Sequence, residues 1–243
     1  MTPASATNDS TTTATTTPTS RQLPARRGRR GTPMTSAYLT EIRLNTRSRD
    51  VQADLRNGGY GFHHRTARLT DTTSGDTSRL LWRLDTFNNG LRLLIQTTDK
   101  PDPTTLPDHY GNTRTLPLDK HLDRLTTGQK IRYRLAGNSV RFAFDEITGL
   151  PLPNRIPCKG DEITTWWTRR APEIGLDVDT TATFQLPTVT GTRERKPGFR
   201  LVLTRYDGTA TITNPDTLRT AMLAGIGRGK AFGAGLLTIA ATL

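Results

Sequence analysis

The chain of 243 residues holds a single cysteine, Cys158. One thiol excludes a disulfide framework and a cysteine zinc site. No apolar run approaches the ~20 residues that a spanning helix needs, and the opening residues lack the apolar centre of a secretory signal. The expectation is a soluble, cytoplasmic protein with no membrane partner. Histidine is scarce as well: His63, His64, His109 and His121 are the full set. There is no Gly-x-Ser-x-Gly elbow, no His-Glu-x-x-His and no carboxylate cluster at two-metal spacing, which sets aside three common routes to hydrolysis. No metal and no cofactor is expected.

What the chain has in excess is positive charge. Lys and Arg number 34 against 22 Asp and Glu, a formal net charge of +12 with a pI near 10.6. Such a balance favours an anionic partner such as nucleic acid and says nothing about fold. The length allows one large or two small domains with real cores. Residues 1–33 read as a separate leader. Twelve of the first twenty are Ser or Thr, and Arg26, Arg27, Arg29 and Arg30 follow. A segment of this kind cannot offset its ordering entropy by burial. The leader is expected to be disordered, with a nonspecific nucleic-acid arm as the alternative, and Met34 to open the globular part.

Two passes of one plan follow. Tyr38 to Leu44 alternates as a strand. Residues 60–69 can form a short helix after Gly58 and Gly59. Residues 80–84 and 91–96 read as a strand pair joined across Asn88-Asn89-Gly90, and 113–118 as a further strand after a proline-interrupted stretch. In the second pass Ile131, Tyr133 and Leu135 alternate with Lys130, Arg132 and Arg134. Residues 161–174 form a helix whose Trp166 and Trp167 are expected in the core. Strands at 184–189 and 199–203 flank a basic hairpin tip, the second running on toward Ile212. Asn214 caps a helix with Pro215 at its first position, and 236–240 is the last strand. The order in each half is βαββαβ, a ferredoxin-like plan in an α+β protein. The domains are expected at 34–125 and 126–243.

The densest motif is GIGRGKAFGAGLL, with Gly225, Gly227, Gly229, Gly233 and Gly235 around Arg228 and Lys230. Glycine permits positive φ and close backbone approach, and exposed N–H groups with two cations can face phosphate oxygens. The plain alternative is a tight turn between helix and strand. A Walker loop needs four residues between its first glycine and its Gly-Lys, then Ser or Thr. Here three separate Gly225 from Gly229, and Ala231 follows Lys230. A dinucleotide fingerprint opens a βαβ unit, and eight residues follow Gly235. A polymeric phosphate backbone fits better than a nucleotide.

His63 and His64 are the other focus, close to Tyr60. Neighbours on a helix point about 100° apart, which makes them poor co-ligands for one metal. Either can exchange a proton near neutral pH, and Tyr60 can position a phosphate or share the proton work. The plain alternative is a solvated helix face. Metal-independent cleavage of an RNA phosphodiester suits these side chains: the 2′-hydroxyl attacks its own phosphate, a base takes the proton, an acid protonates the leaving oxygen, and cations stabilise the charge.

The residues together resemble the CasE family, CRISPR repeat-RNA endoribonucleases of type I-E surveillance complexes. The marks are YLTEIRLN with SRD at 48–50, Tyr60-x-x-His63 in YGFHHR, LLWRLD at 80–85, and IRYRLAGN at 131–138. EITTWWTRRA, YDGTATI and the closing glycine run complete them. The chain departs from the family in Ser139, where relatives often carry proline, and in the proline- and glycine-rich segment after it. The resemblance implies two tandem ferredoxin-like domains of RAMP type. It implies binding of the stem-loop of a CRISPR repeat transcript, both as precursor and as mature guide RNA. Cutting would fall at the 3′ base of the stem, leaving a 2′,3′-cyclic phosphate and a 5′-hydroxyl, with continued residence beside the other protein subunits of the complex. The family's catalytic histidine opens the first helix and falls on His63 or His64. His63 is chosen, with Tyr60 as its partner, because Leu69 then takes an apolar helix position. His64 and Arg65 become RNA-facing neighbours. The family's basic hairpin matches residues 188–198 and nominates Arg193, Arg195 and Lys196, with Lys159 near a family lysine position. Arg228 and Lys230 belong to the glycine loop, which in such proteins also holds the domains together. Two other classes compete: a guide-RNA-binding subunit that does not cut, and a basic protein of ribosomes or tRNA. A placed proton-transfer group argues against the first, and the ordered motif set against the second.

Overall fold

The computed structural model describes residues 37–70, 80–88, 90–193 and 196–242, and the side chains of 191–198 are not described. The leader, Arg195, and the side chains of Arg193 and Lys196 therefore lie outside the described residues. The described residues fall within one unit, Thr35–Leu243.

The first sheet is built from β1 (Tyr38–Leu44), β2 (Leu81–Phe87), β3 (Gly90–Thr97) and β4 (Gly111–Pro117). Its order is β2-β3-β1-β4, antiparallel throughout. Helices α1 (Arg49–Arg56) and α2 (Gly59–Ala67) connect β1 to β2. A short α3 (Asp119–Leu122) follows β4. The second sheet is built from β5 (Lys130–Gly137), β8 (Leu176–Gln185), β11 (Thr204–Ile212) and β12 (Leu237–Ala241). Its order is β12-β5-β11-β8, again antiparallel. Two ribbons are inserted, β6 (Val140–Phe144) with β7 (Pro151–Pro157), and β9 (Val189–Arg193) with β10 (Lys196–Leu201). Helices α4 (Asp161–Arg170) and α5 (Pro215–Ala224) complete the second half. In both sheets the first main strand lies between the third and the fourth. The expected pair of tandem ferredoxin-like units is thus present. No described helix is long and apolar enough to cross a membrane.

The cores follow the strand alternation. Ile42, Phe62, Trp82, Leu93 and Ile95 are buried under the first sheet. Ile131, Tyr133, Leu135, Trp167 and Tyr206 are buried under the second. Trp167 is fully buried, and Trp166 stacks on Tyr206 at 5.7 Å, so the tryptophan pair is core. Asn214 caps α5 as expected, its Oδ1 accepting from Thr217 N at 3.0 Å.

Three elements differ from the sequence reading. α1 was not anticipated, because only Val51 and Leu55 mark its apolar side in a charged octapeptide. The strand expected at 199–203 does not run on to Ile212. β10 stops at Leu201, and β11 starts at Thr204 and pairs with a long β8. β9 and β10 therefore form a ribbon of their own, set off at Pro187, while Leu186 N still donates to Leu203 O at 2.9 Å. The proline- and glycine-rich segment after Ser139 forms the other ribbon, turned by Asp145, whose Oδ1 accepts from Ile147 N and Thr148 N at 3.0 and 2.8 Å.

The sheets meet at their edges, β2 and β12. Arg83 on β2 is 2% exposed. Its Nε and one Nη2 hydrogen donate to Asp85 at 2.9 and 3.0 Å. Nη1 donates to Arg134 O at 3.0 Å and Leu236 O at 2.9 Å, and Nη2 to Thr238 Oγ1 at 2.9 Å. All five N–H groups of a guanidinium are thereby used. Burial alone would raise the Asp85 pKa. The hydrogen bonds and charge of Arg83, with Arg134 and Arg92, hold it below the ordinary carboxylate value. Gln96 Nε2 adds a bond to Met222 O at 2.9 Å.

Truncating one side of such a pair strands a buried charge. Arg83→Leu is expected to cost about 3–5 kcal/mol in urea unfolding. Arg83→Lys fails to restore it, because an ammonium lacks the planar fork. The double change Arg83→Leu with Asp85→Leu loses less than Arg83→Leu alone; an equal or larger loss would refute this account of the clamp.

Candidate functional site

The site is built on α2, a nine-residue helix entered through Gly58 at φ +57°. Its position is set by how closely it approaches α1. A Cβ at Gly61 would lie 2.6 Å from Asp54 O, so only glycine allows this packing. The contact brings Arg65 to Asp54, Nε to Oδ2 at 2.7 Å, and Tyr110 OH donates to the same oxygen at 2.8 Å. The guanidinium also lies over the Tyr110 ring, 5.0 Å from its centre, and 3.4 Å from Asp50 Oδ1. Burial first, and Asp54 second, push the Tyr110 phenol well up. This knot locks the inner side of α2 and turns the other side outward.

On the outer side stand Tyr60, His63 and His64. His63 is the fifth residue of the second helix and does not open the first, which corrects the expected position. The Tyr60 ring stacks near His64 at 6.3 Å and 20°. It meets Phe199 of β10 at 5.7 Å and Phe232 of the glycine loop at 5.3 Å, edge to face. His63 packs on Phe232 at 5.9 Å and on His64 at 5.6 Å. Phe199 and Phe232 lie 4.5 Å apart. Three distant segments thus supply one aromatic cluster. Burial, and then the neighbouring His64, lower the His63 pKa from its ordinary 6.5. Its Nδ1 is sealed from solvent and has no hydrogen-bond partner among the described residues. Beside the cluster lies an open cleft of about 520 Å³ lined by Asn57, Tyr60, His64, Arg65, Arg68 and Thr190 among others. His63 borders this cleft's residues without lining it. No three His, Cys, Asp or Glu side chains among the described residues converge as a metal ligand set.

The other expected residues are more dispersed. Arg65 reaches the cleft with its guanidinium already committed to Asp54. Lys159 is exposed before α4, its backbone N–H donating to Glu162 Oε2 at 3.0 Å. Arg228 is exposed on the glycine loop. Lys230 Nζ donates to Ala224 O at 2.7 Å, where it satisfies the C-terminal end of α5. Gly225, Gly227, Gly229, Gly233 and Gly235 all have positive φ. The loop leans on the first sheet: a Cβ at Gly233 would lie 2.8 Å from the Trp82 ring, and Trp82 Nε1 donates to Ala231 O at 3.1 Å. Much of the glycine content is therefore explained by packing. The sequence reading missed Phe199, Phe232, Asp54 and Tyr110. Only Phe232 carried any local signal, as an aromatic inside a glycine run.

The pair of tandem ferredoxin-like units sets the structural class. A family model described as CRISPR associated protein matches residues 37–241, and the chain belongs to that family. The resemblance read from the motifs is borne out. The chain is similar to the curated CRISPR-associated endoribonuclease Cse3 of Thermus thermophilus, 28% identical over 218 residues that cover 84% of this chain and 99% of that protein. A solved structure of Thermus thermophilus Cse3, bound to an RNA representing a pre-cleavage complex, matches with a TM-score of 0.70 at 26% identity, covering 84% of this chain and 99% of that one. A chain of a CRISPR RNA-guided surveillance complex, in a pre-nicking state, matches with a TM-score of 0.60 at 30% identity, covering 84% and 100%.

The loop packing is directly testable. Gly128 also has positive φ, +81°, with nothing within 4 Å of an added Cβ. Gly128→Ala is expected to cost roughly 1–2 kcal/mol from backbone strain alone. Gly233→Ala meets the Trp82 ring as well and should cost more. Equal unfolding midpoints for the two variants would show that the Trp82 contact does not constrain the loop.

Proposed function

We propose that the chain is a cytoplasmic, metal-independent endoribonuclease that binds the stem-loop of CRISPR repeat transcripts and cuts at the 3′ base of the stem. It then stays on the product as a subunit of a type I-E surveillance complex. In this reading residues 34–125 carry the catalytic histidine. Residues 126–243 carry the basic hairpin and the glycine loop, and 1–33 are a leader. The observation that carries the proposal is His63, a half-buried imidazole with a lowered pKa, next to Tyr60 in a chain similar along its described length to RNA-bound Cse3.

A lowered pKa keeps the imidazole neutral near pH 7, which suits a base. His63 takes the proton of the 2′-hydroxyl as that oxygen bonds to phosphorus. The bond from phosphorus to the 5′ oxygen breaks, and the leaving oxygen takes up a proton. Tyr60, three residues earlier on α2, lies on the same face. It hydrogen-bonds the phosphate and donates toward the leaving oxygen. The products are a 2′,3′-cyclic phosphate and a 5′-hydroxyl. Lys159, Arg193, Arg195, Lys196 and Arg228 contact phosphates of the stem, whose deep, narrow major groove favours recognition by shape. His64 faces the RNA. Arg65 and Lys230 add positive potential from positions fixed by Asp54 and by the end of α5.

The test is cleavage of the host's repeat RNA in excess EDTA, with product-end analysis and binding measured in parallel. Wild type should cut once and leave a cyclic phosphate. His63→Ala should lose on the order of 10²–10⁴-fold in rate while still binding. Loss with His64→Ala alone would move the assignment by one residue. Tight binding without any cut would replace the enzyme by a guide-RNA scaffold.

The pH profile gives a separate prediction. The active form of His63 is neutral, so the rate falls as pH drops through its pKa. The acid limb of kcat/KM should have its midpoint below 6.5, the ordinary histidine value. A midpoint above 6.5 would exclude His63 as the base.

A further inference from the structure

An imidazole that moves protons is ordinarily held by a hydrogen bond on its second nitrogen, from or to a carboxylate or a carbonyl. His63 has no such holder: its Nδ1 is sealed and has no partner among the described residues. Two rings pack against it, Phe232 at 5.9 Å and His64 at 5.6 Å. His64 is exposed and on the same helix, so it cannot brace the ring against the rest of the protein. Phe232 can.

Phe232 ends a single 3-10 turn, Lys230–Phe232, between Gly229 at φ +85° and Gly233 at φ +87°. Every side of that turn is tied down. Phe232 N donates to Gly229 O at 2.9 Å, and Ala231 O accepts from Trp82 Nε1 at 3.1 Å. Gly235 N donates to Ala136 O at 2.7 Å, and Ile226 N to Gly235 O at 2.9 Å. Lys230 Nζ holds Ala224 O. On the far side Phe199 backs the ring at 4.5 Å, and Tyr60 meets it edge to face at 5.3 Å. A side chain on Gly59 would touch Phe232 at 3.3 Å, so α2 comes down directly on the ring.

We propose that Phe232 is the positioning residue of His63: ring packing, in place of a hydrogen bond, holds the imidazole for proton transfer through Nε2. The glycine loop then serves the chemistry as well as the joint between the sheets. The proposal rests on His63 as the proton-transfer group. On α2 the titratable neighbours of His63 are Tyr60 and His64, and the glycine loop that packs on it carries Lys230 two residues before Phe232. His64 lowers the His63 pKa, and the Lys230 ammonium is directed to Ala224 O.

The experiment uses the full chain with Phe232→Ala, the milder Phe232→Val, Phe232→Leu and His63→Ala. It reads single-turnover cleavage at saturating protein, the Kd for repeat RNA, the unfolding midpoint, and the NMR titration of the His63 imidazole without RNA. Phe232→Ala and Phe232→Val should slow cleavage on the order of tenfold to a hundredfold, the scale of a small misplacement of a reacting group. Kd should be unchanged, and the His63 titration should move up toward 6.5 as the ring loses its cover. Phe232→Leu, long enough to reach the imidazole, should recover most of both. If Phe232→Ala does not fold, Phe232→Val carries the same comparison. Wild-type cleavage and titration in folded Phe232→Val would overturn the proposal. So would a weaker Kd with an unmoved titration, which would make the ring a stacking platform for RNA. If His63→Ala cuts normally, the assignment of His63 has failed and the proposal falls with it. If His63→Ala is inactive and Phe232→Val is like wild type, only the role of Phe232 has failed.

Discussion

Arg83 joins the two sheets through bonds that a purely apolar contact could not supply. Leu81, Leu94 and Leu236 form a small buried cluster beside it, and apolar contact of that kind is non-directional. The guanidinium is directional. It fixes Asp85 on its own strand, two backbone carbonyls at Arg134 and Leu236, and the hydroxyl of Thr238. A buried ion pair contributes little net stability over an apolar replacement, so its structural effect lies in geometry. With all five donors used, one relative register of β2 and β12 satisfies the group and others leave a buried donor or acceptor unpaired. The glycine loop depends on that register, because Gly225 abuts Leu81 and Gly233 abuts Trp82, the two residues just before Arg83.

A second fixed point sits where α1 meets α2. Asp54 accepts from Arg65 and Tyr110 at once, which ties α1, α2 and the segment before β4 together. Gly61 lets the helices close onto that carboxylate. The outward face of α2 is then presented to two segments of the second half, β10 and the glycine loop. The surroundings of Tyr60 and His63 thus draw on both halves, each locked separately and joined at Arg83.

Charge and packing divide the work in the glycine loop. Arg228 is exposed, whereas Lys230 is turned back to the end of α5. One motif therefore holds both an exposed cation and a cap for a helix. Asp54 and Asp85 show the same economy in a strongly basic chain: carboxylates are buried where an arginine needs holding, and exposed cations are left on the outside.

The sequence by itself determined the strand alternation, the duplicated βαββαβ order, the caps of α5 and the family. These are local or ordered signals: Ile131, Tyr133 and Leu135 alternate whatever they pack on, and Asn214-Pro215 starts a helix from its own chemistry. Tyr60 and His63 stood out as candidates for the same reason, as residue types at a recognisable spacing. The cleft's support was not. Nothing local to Asp54 reveals that Tyr110 and Arg65 share it, and nothing local to Arg83 reveals acceptors at Leu236 and Thr238, more than 150 positions away. α1 was too short and too charged to read, and the break between β10 and β11 depends on β8 taking the pairing edge of β11. Which face of His63 is covered, and by Phe232, was decided only when two left-handed glycines and an edge-to-edge joint of sheets carried the loop onto α2. Those are contacts between residues far apart in the chain, and their energies have no counterpart in any window of sequence.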